Sequence, residues 1–374
     1  MRTLAVNKLR AADSLLVRSL STLRLDPVLV VMLAVLMGVG LLVLYSAGER
    51  NPDLVWRQSV RFGVGLAVMV GLAQVPPRLL RLWGPWLYLL TVLALIAALI
   101  VGVGRGAQRW LDLGLIRFQP SEAMKLALPL MLAIMLDRRP LPPDWRMLAV
   151  ASALIGLPVA LIVVQPDLGT AVLVALSGLC LLFLAGLGWR VILTLAAGLA
   201  ASAPLIWLRL HDYQRERILT FLDPESDPLG QGWNIIQSKI AVGSGGMTGK
   251  GWLGGSQSHL EFLPEPHTDF ILSVAAEEFG FIGVAVLLVI YAAIILRALF
   301  LASQCRDTFA RLLSGALVFM FFVYLAVNAG MVSGLLPVVG VPLPLISYGG
   351  TSAVTLLAGF GVVMGLYSRR RFMG

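Results

Sequence analysis

The chain of 374 residues is 58% hydrophobic and only 13% charged, with a net charge of +9 and a mean hydropathy of +0.88. A soluble domain of this length cannot hide so much apolar surface in one core, so the composition excludes an ordinary soluble enzyme and makes the bilayer the solvent. The positive charge does not point to nucleic acid, because Lys and Arg fall in short blocks between apolar runs and form no basic patch interleaved with aromatics.

The first twenty-five residues are basic and weakly amphipathic, with no short apolar stretch leading to a small-residue cleavage site. Residues 1–26 are therefore expected to remain as a cytoplasmic segment. Apolar runs follow at about 27–47, 58–75, 84–103, 122–137, 147–164, 168–187, 190–208, 269–299, 312–334 and 346–367. Each approaches the roughly 20 residues of a spanning helix, and the alternation of a membrane barrel is absent. The expected fold is an all-α integral membrane protein of about ten transmembrane helices with both termini cytoplasmic. Basic residues support that orientation, since Arg78 and Arg81, Arg138, Arg139 and Arg146, Arg190, Arg297, Arg306 and Arg311, and Arg369 to Arg371 all fall in segments assigned to the inside. Arg105, Arg109 and Arg117 break the pattern on the outer side, which invites a functional reading.

The longest stretch between runs, 209–268, is expected to be one large periplasmic loop between spans seven and eight. It holds HDYQRERI, a Pro- and Asp-rich turn, the amphipathic GWNIIQSKIAVGSGG and a glycine-rich GGMTGKGWLGG. GGMTGKG is not a nucleotide-binding loop: Ser244 stands where the first glycine belongs, and Gly251 replaces the Ser or Thr that binds magnesium. Its glycines are expected to allow tight turns, with amides available to a substrate as the sharper alternative. Cys180 and Cys305 sit in an apolar run and a short basic loop, so neither is placed for a disulfide or a metal site. No repeat or linker divides residues 1–374, which are read as a single polytopic membrane domain.

Four motifs carry chemistry. EFLPEPHTDF gathers Glu261, Glu265, His267 and Asp269 just before a long apolar helix, where charge is costly and usually has a task. Asp269 reads equally as a helix cap and as a catalytic carboxylate, whereas His267 reads as a structural hydrogen-bonding group. In RWLDLGLIRFQPSEAMK, Glu122 and Lys125 share a helical face and read as a salt bridge, while Arg109 and Lys125 would also suit a pyrophosphate. QPDLGT places Asp167 at a helix junction and reads as a turn and cap. NAGMVSGLLPVVGVPLPLISYGGTS interrupts two apolar runs with prolines and glycines; it reads as a packed re-entrant turn or as one wall of a lipid-substrate groove.

Together these four segments, in this order and over nearly the whole chain, resemble the shape, elongation, division and sporulation (SEDS) family, and within it the rod-shape branch. Thr351 stands where many members have Ser, which keeps the hydroxyl. The resemblance implies an inverting peptidoglycan glycosyltransferase that polymerises lipid II, an undecaprenyl-pyrophosphate-linked disaccharide-pentapeptide, into β-1,4 glycan strands for cell-wall elongation and rod shape. It implies lipid II and the growing glycan as ligands, a class B penicillin-binding protein transpeptidase and elongation-complex membrane proteins as partners, and the inner membrane as location, with the active site facing the periplasm. It matches Asp269 to the family's essential aspartate and Glu122 and Lys125 to its PSExxK motif. The expected roles are base for Asp269, phosphate binding for Arg109 and Lys125, and positioning of Lys125 for Glu122. No cofactor is required by this reading; the alternative has Asp269 hold a divalent cation such as magnesium against the pyrophosphate. Two other classes fit the broken helices and buried charges, a lipid II flippase and a non-catalytic scaffold for wall enzymes. The outward concentration of charge favours chemistry.

Overall fold

A computed structural model describes residues 22–103, 109–112, 114, 117–209, 215–216, 219–221, 223–226, 231–255 and 266–369. Most of the expected N-terminal segment, and Glu261 and Glu265, lie outside the described residues. Helices dominate: α1 (Pro27–Ala47), α2 (Pro52–Gln74), α3 (Pro77–Val101), α4 (Pro120–Asp137), α5 (Trp145–Val164), α6 (Leu168–Leu184), α7 (Trp189–Arg209), α8 (Gln231–Ser244), α9 (Ile271–Ser303), α10 (Thr308–Val332) and α11 (Gly350–Ser368). A two-stranded antiparallel hairpin, β1 (Leu111–Asp112) with β2 (Arg117–Phe118), precedes α4. Pro at the first helical position starts α1 to α4, where its missing N–H costs nothing, and the side chains of Asp26, Asn51, Asp144 and Asp167 cap α1, α2, α5 and α6.

The expected count of about ten transmembrane helices is corrected. Among the described residues, six helices are long and apolar enough to cross a membrane: α1, α3, α5, α9, α10 and α11. The reasons lie in composition and length. Arg57, Gln58 and Arg61 dilute the apolar character of α2, α4 carries Glu122, Lys125 and Asp137, and α6 has only 17 residues. Seventeen residues rise about 25 Å, short of the roughly 30 Å of hydrocarbon. The segment 209–268 accordingly does not lie between a seventh and an eighth span.

Helix α10 is the central pillar, packed against α4, α6, α9 and α11 and buried along most of its length. Around it, α2 packs closely on α11, and small residues make this possible: a Cβ on Gly361 would stand 2.3 Å from the Met69 carbonyl oxygen, and one on Gly365 2.6 Å from that of Ala73. Without a hydrophobic drive between helices in lipid, such backbone approach is the main source of helix association. At one end of the bundle Arg81 bridges Asp137 and Asp307 and lies over the Phe309 ring, while Arg297 pairs with Asp26 at 2.7 Å.

Helix α9 is broken at Gly280, whose φ of 65° is open only to glycine at low cost. The glycine-rich loop 245–251 repairs the break. Lys250 and Gly251 N–H donate to the Glu277 and Glu278 carbonyls, and Phe281 and Ile282 N–H donate to those of Gly246 and Met247. Any Cβ on Gly245, Gly249 or Gly280 would come within 2.3 Å of the facing backbone. The amides of Lys250 and Gly251 are therefore spent on α9. Two acidic side chains sit at this joint: Glu277 accepts from Lys250 Nζ at 2.6 Å, and Glu278 accepts from the Ser46 hydroxyl.

Candidate active site

Three consecutive carbonyls, those of His267, Thr268 and Asp269, are each tied to another part of the chain. Tyr348 N–H donates to the first at 2.8 Å, the Ser347 hydroxyl to the second at 2.5 Å and the Asn328 side-chain amide to the third at 2.9 Å. Asn328, wholly buried on α10, also donates to the Val341 carbonyl at 2.8 Å. The segment 334–349 that supplies these contacts is itself pinned: Leu343 N–H donates to Ser347 Oγ, Gln58 of α2 to the Ser347 carbonyl and Tyr291 of α9 to that of Pro344. With Val341, Leu343, Leu345 and Ile346 buried, its later part is packed into the protein between α10 and α11.

Asp269 comes out of this frame half-buried, its backbone fixed from three sides. The N-cap of α9 is Phe270, and that cap makes no side-chain hydrogen bond. Gly340, at a φ of 70°, faces the carboxylate, and a Cβ there would stand 3.5 Å from Asp269 Oδ2. His267 meets the Tyr348 ring edge-on at a centroid distance of 6.0 Å. The Arg61 guanidinium also stacks on the Tyr348 ring, at 4.2 Å, bringing a cation from α2 to the same neighbourhood.

The second group centres on Lys125. Its ammonium donates to Glu122 Oε1 at 2.5 Å and to the Tyr324 hydroxyl, and Lys125 and Tyr324 are almost wholly buried. Tyr324 and Asn328 lie four residues apart on α10, an axial separation of about 6 Å. The lysine pair therefore grips the same helix one turn from the Asn328 bond to Asp269. Asp167 joins from α6, where its carboxylate caps the helix through Thr170 N–H and accepts from Gln119 at 3.3 Å. The first turn of α6 meets the segment 334–349 at Gly169, where a Cβ would stand 2.3 Å from the Val339 carbonyl oxygen.

Arg109 does not reach Lys125 through any described contact. It donates Nε to the Gln165 carbonyl at 3.1 Å and Nη2 to that of Pro166, fastening the turn that leads into Asp167. Gln58, Arg61 and Tyr324 were not singled out by sequence reasoning. Their signal was there for the arginine and glutamine, as polar residues in an otherwise apolar α2; a lone tyrosine inside α10 gave none. Among the described residues, no three His, Cys, Asp or Glu side chains gather into a metal-holding group. A magnesium ion that leans on one or two carboxylates and substrate phosphates would not require such a group.

The match to known proteins extends over this whole arrangement. The family model for FtsW, RodA and SpoVE, described as "Cell cycle protein", matches residues 23–371. The chain belongs to the FtsW/RodA/SpoVE family. Among relatives in that family, the peptidoglycan glycosyltransferase MrdB of Escherichia coli K12 is 50% identical over 351 residues, covering 93% of this chain and 95% of MrdB. The fold matches a chain of a peptidoglycan synthase complex, solved for its coordination of polymerization and crosslinking, with a TM-score of 0.81 at 39% identity over 92% of this chain and 98% of that one. It matches the rod shape determining protein RodA of Thermus thermophilus with a TM-score of 0.71 at 34% identity, over 92% and 97% of the two chains.

Proposed function

We propose that this chain is a peptidoglycan glycosyltransferase that polymerises lipid II into β-1,4 glycan, with Asp269 as its base. The observation that carries the reading is the seat of Asp269, a half-buried carboxylate whose backbone is locked by Tyr348, Ser347 and Asn328 from two distant parts of the chain. Such fixing by surrounding hydrogen bonds is what a reacting group needs, since misplacement by an ångström is costly in rate.

In the reaction a sugar hydroxyl of the acceptor attacks the anomeric carbon of the donor. The new C–O bond forms as the bond to the pyrophosphate oxygen breaks, and one displacement converts the α linkage into β. The hydroxyl proton passes to the Asp269 carboxylate, and the electron pair leaves on the pyrophosphate. Arg61, stacked on Tyr348, brings one cation to this neighbourhood, and Arg109, fastened to the turn before Asp167, supplies a second. Guanidinium groups suit the departing pyrophosphate. Lys125 is buried and two of its three donors are taken, so with Glu122 it contributes to substrate binding chiefly by clamping α4 to α10 beneath Asn328.

The protein is a multi-pass inner-membrane protein of the SEDS family. Our reading places the Asp269 end toward the periplasm, because Arg24, Arg81, Arg138, Arg139, Arg146, Arg297 and Arg369 collect at the other end. The likeness to a synthase complex supports work alongside a crosslinking partner, which we take to be a class B penicillin-binding protein transpeptidase. The test is polymerisation of lipid II by purified protein with and without that partner. Asp269→Asn keeps the shape and removes the charge; it is expected to give no glycan while retaining insertion and partner binding. Wild-type polymerisation by a folded Asp269→Asn protein would exclude Asp269 as base.

A further inference from the structure

At the end of the bundle opposite Asp269, α3, α4 and α5 enclose a half-open cavity of about 590 Å³ that plays no part in the chemistry above. Its floor is apolar, made by Pro85 of α3, Met131, Ile134 and Met135 of α4, and Met147 and Val150 of α5. Its rim is basic, with Arg138 and Arg139 at the end of α4 and Arg146 in the first turn of α5. All three arginines are exposed, and among the described residues none forms an ion pair or a side-chain hydrogen bond. The carboxylate at the rim, Asp144, is committed to the α5 cap through Met147 N–H at 2.9 Å, so three positive charges face one negative charge.

Tryptophans fix the depth of this cavity. Exposed tryptophans stand next in sequence to its lining residues, Trp86 and Trp83 within two residues of Pro85 on α3 and Trp145 before Arg146 on α5, and Arg146 stacks on Trp145 at 5.3 Å. Exposed tryptophans are enriched at the headgroup level of a bilayer, with hydrocarbon on one side and water on the other. A soluble anion would have no use for the methionine floor, and a neutral lipid would have none for the arginines.

We propose that this cavity binds an anionic phospholipid, its phosphate between Arg138, Arg139 and Arg146 and the upper part of an acyl chain on Met131, Met135 and Val150. Basic pockets between membrane helices take such headgroups, and each arginine near the surface contributes a factor of roughly five in affinity. The volume falls within the range of small-molecule sites, enough for a headgroup and the first carbons of its chain. The inference stands apart from the glycosyl transfer and does not depend on Asp269.

The test uses the full chain in nanodiscs or detergent, with native mass spectrometry counting retained phosphatidylglycerol against phosphatidylcholine. The wild type is expected to retain phosphatidylglycerol preferentially. The triple variant Arg138→Gln, Arg139→Gln, Arg146→Gln is expected to lose that preference by at least roughly tenfold. Arg190→Gln, Arg306→Gln, Arg311→Gln, which removes equal charge from exposed sites outside the cavity, is expected to retain it. Val150→Trp, which fills the apolar side without changing charge, is expected to weaken retention as well. Glycerol phosphate is the probe for a free anion, and it is expected not to compete. Equal loss in both triple variants would mean general attraction to an anionic surface. That result, unchanged retention in the cavity variants, or effective competition by glycerol phosphate would each overturn the proposal.

Discussion

Replacing Lys125 by methionine removes the ammonium that holds Glu122 and Tyr324 and leaves most of the volume filled. Lys125 is 2% exposed and the Glu122 side chain 9%, so the orphaned carboxylate has little access to water. Breaking a buried ion pair from one side costs about 3–5 kcal/mol, most of it the charge left behind. Removing both charges by adding Glu122→Leu should return most of that loss, because a buried pair contributes little over apolar residues of similar volume. The assay is unfolding of the purified protein in mixed micelles with increasing sodium dodecyl sulfate, alongside lipid II polymerisation on the same samples. Lys125→Met is expected to unfold well before the wild type, and the double variant close to it, with glycan synthesis following stability. If Lys125→Met unfolds at the wild-type midpoint, Glu122 is not carrying a buried charge as described. If the double variant regains stability without activity, the lysine meets the substrate directly and the clamp is not its main task.

Asn328→Leu leaves the carbonyls of Asp269 and Val341 without their donor at about 1–3 kcal/mol each, so polymerisation is expected to collapse although Asp269 remains, as a lipid II assay would reveal. Gly280→Ala puts a Cβ on a residue whose φ of 65° and ψ of −167° lie in a region essentially reserved for glycine, at about 1–3 kcal/mol, and drives that Cβ to 2.3 Å from Gly249 N, so protease cleavage within 245–255 is expected to quicken. Gly361→Leu should separate α11 from α2 and lower the free energy of unfolding by about 1–3 kcal/mol, read as an earlier denaturation midpoint, while the same change at Gly38, with nothing near its Cβ, should be tolerated.

The membrane character of the chain was legible because apolar length is a local property, readable wherever a run reaches the thickness of hydrocarbon. The number of spans was not, because α2 and α4 combine two characters: apolar enough to sit among helices, yet carrying polar residues such as Arg61, which stacks on Tyr348, and Lys125, which bonds Tyr324. Glu122 and Lys125 could be paired from their spacing of three residues, a contact within one helix turn. Tyr324, nearly two hundred residues away, completes that pair, and no local pattern announces it. The same limit applies to the glycine loop. Its composition told of tight turns, but that its amides and carbonyls would mend the break in α9 depends on a meeting of two segments thirty residues apart.

That break settles a question of length. A continuous helix of 33 residues would be about 50 Å long, well beyond the roughly 30 Å of hydrocarbon. The part after Gly280, residues 281–303, is by itself roughly 35 Å long and is sufficient to cross. The surplus ahead of it, bearing Glu277 and Glu278, is enclosed by protein and never has to be solvated by lipid. Crossing the hydrocarbon and packing against the glycine loop are thus tasks for two different pieces of one helix, and the carboxylates that would hinder the first sit in the second, where Lys250 and Ser46 receive them.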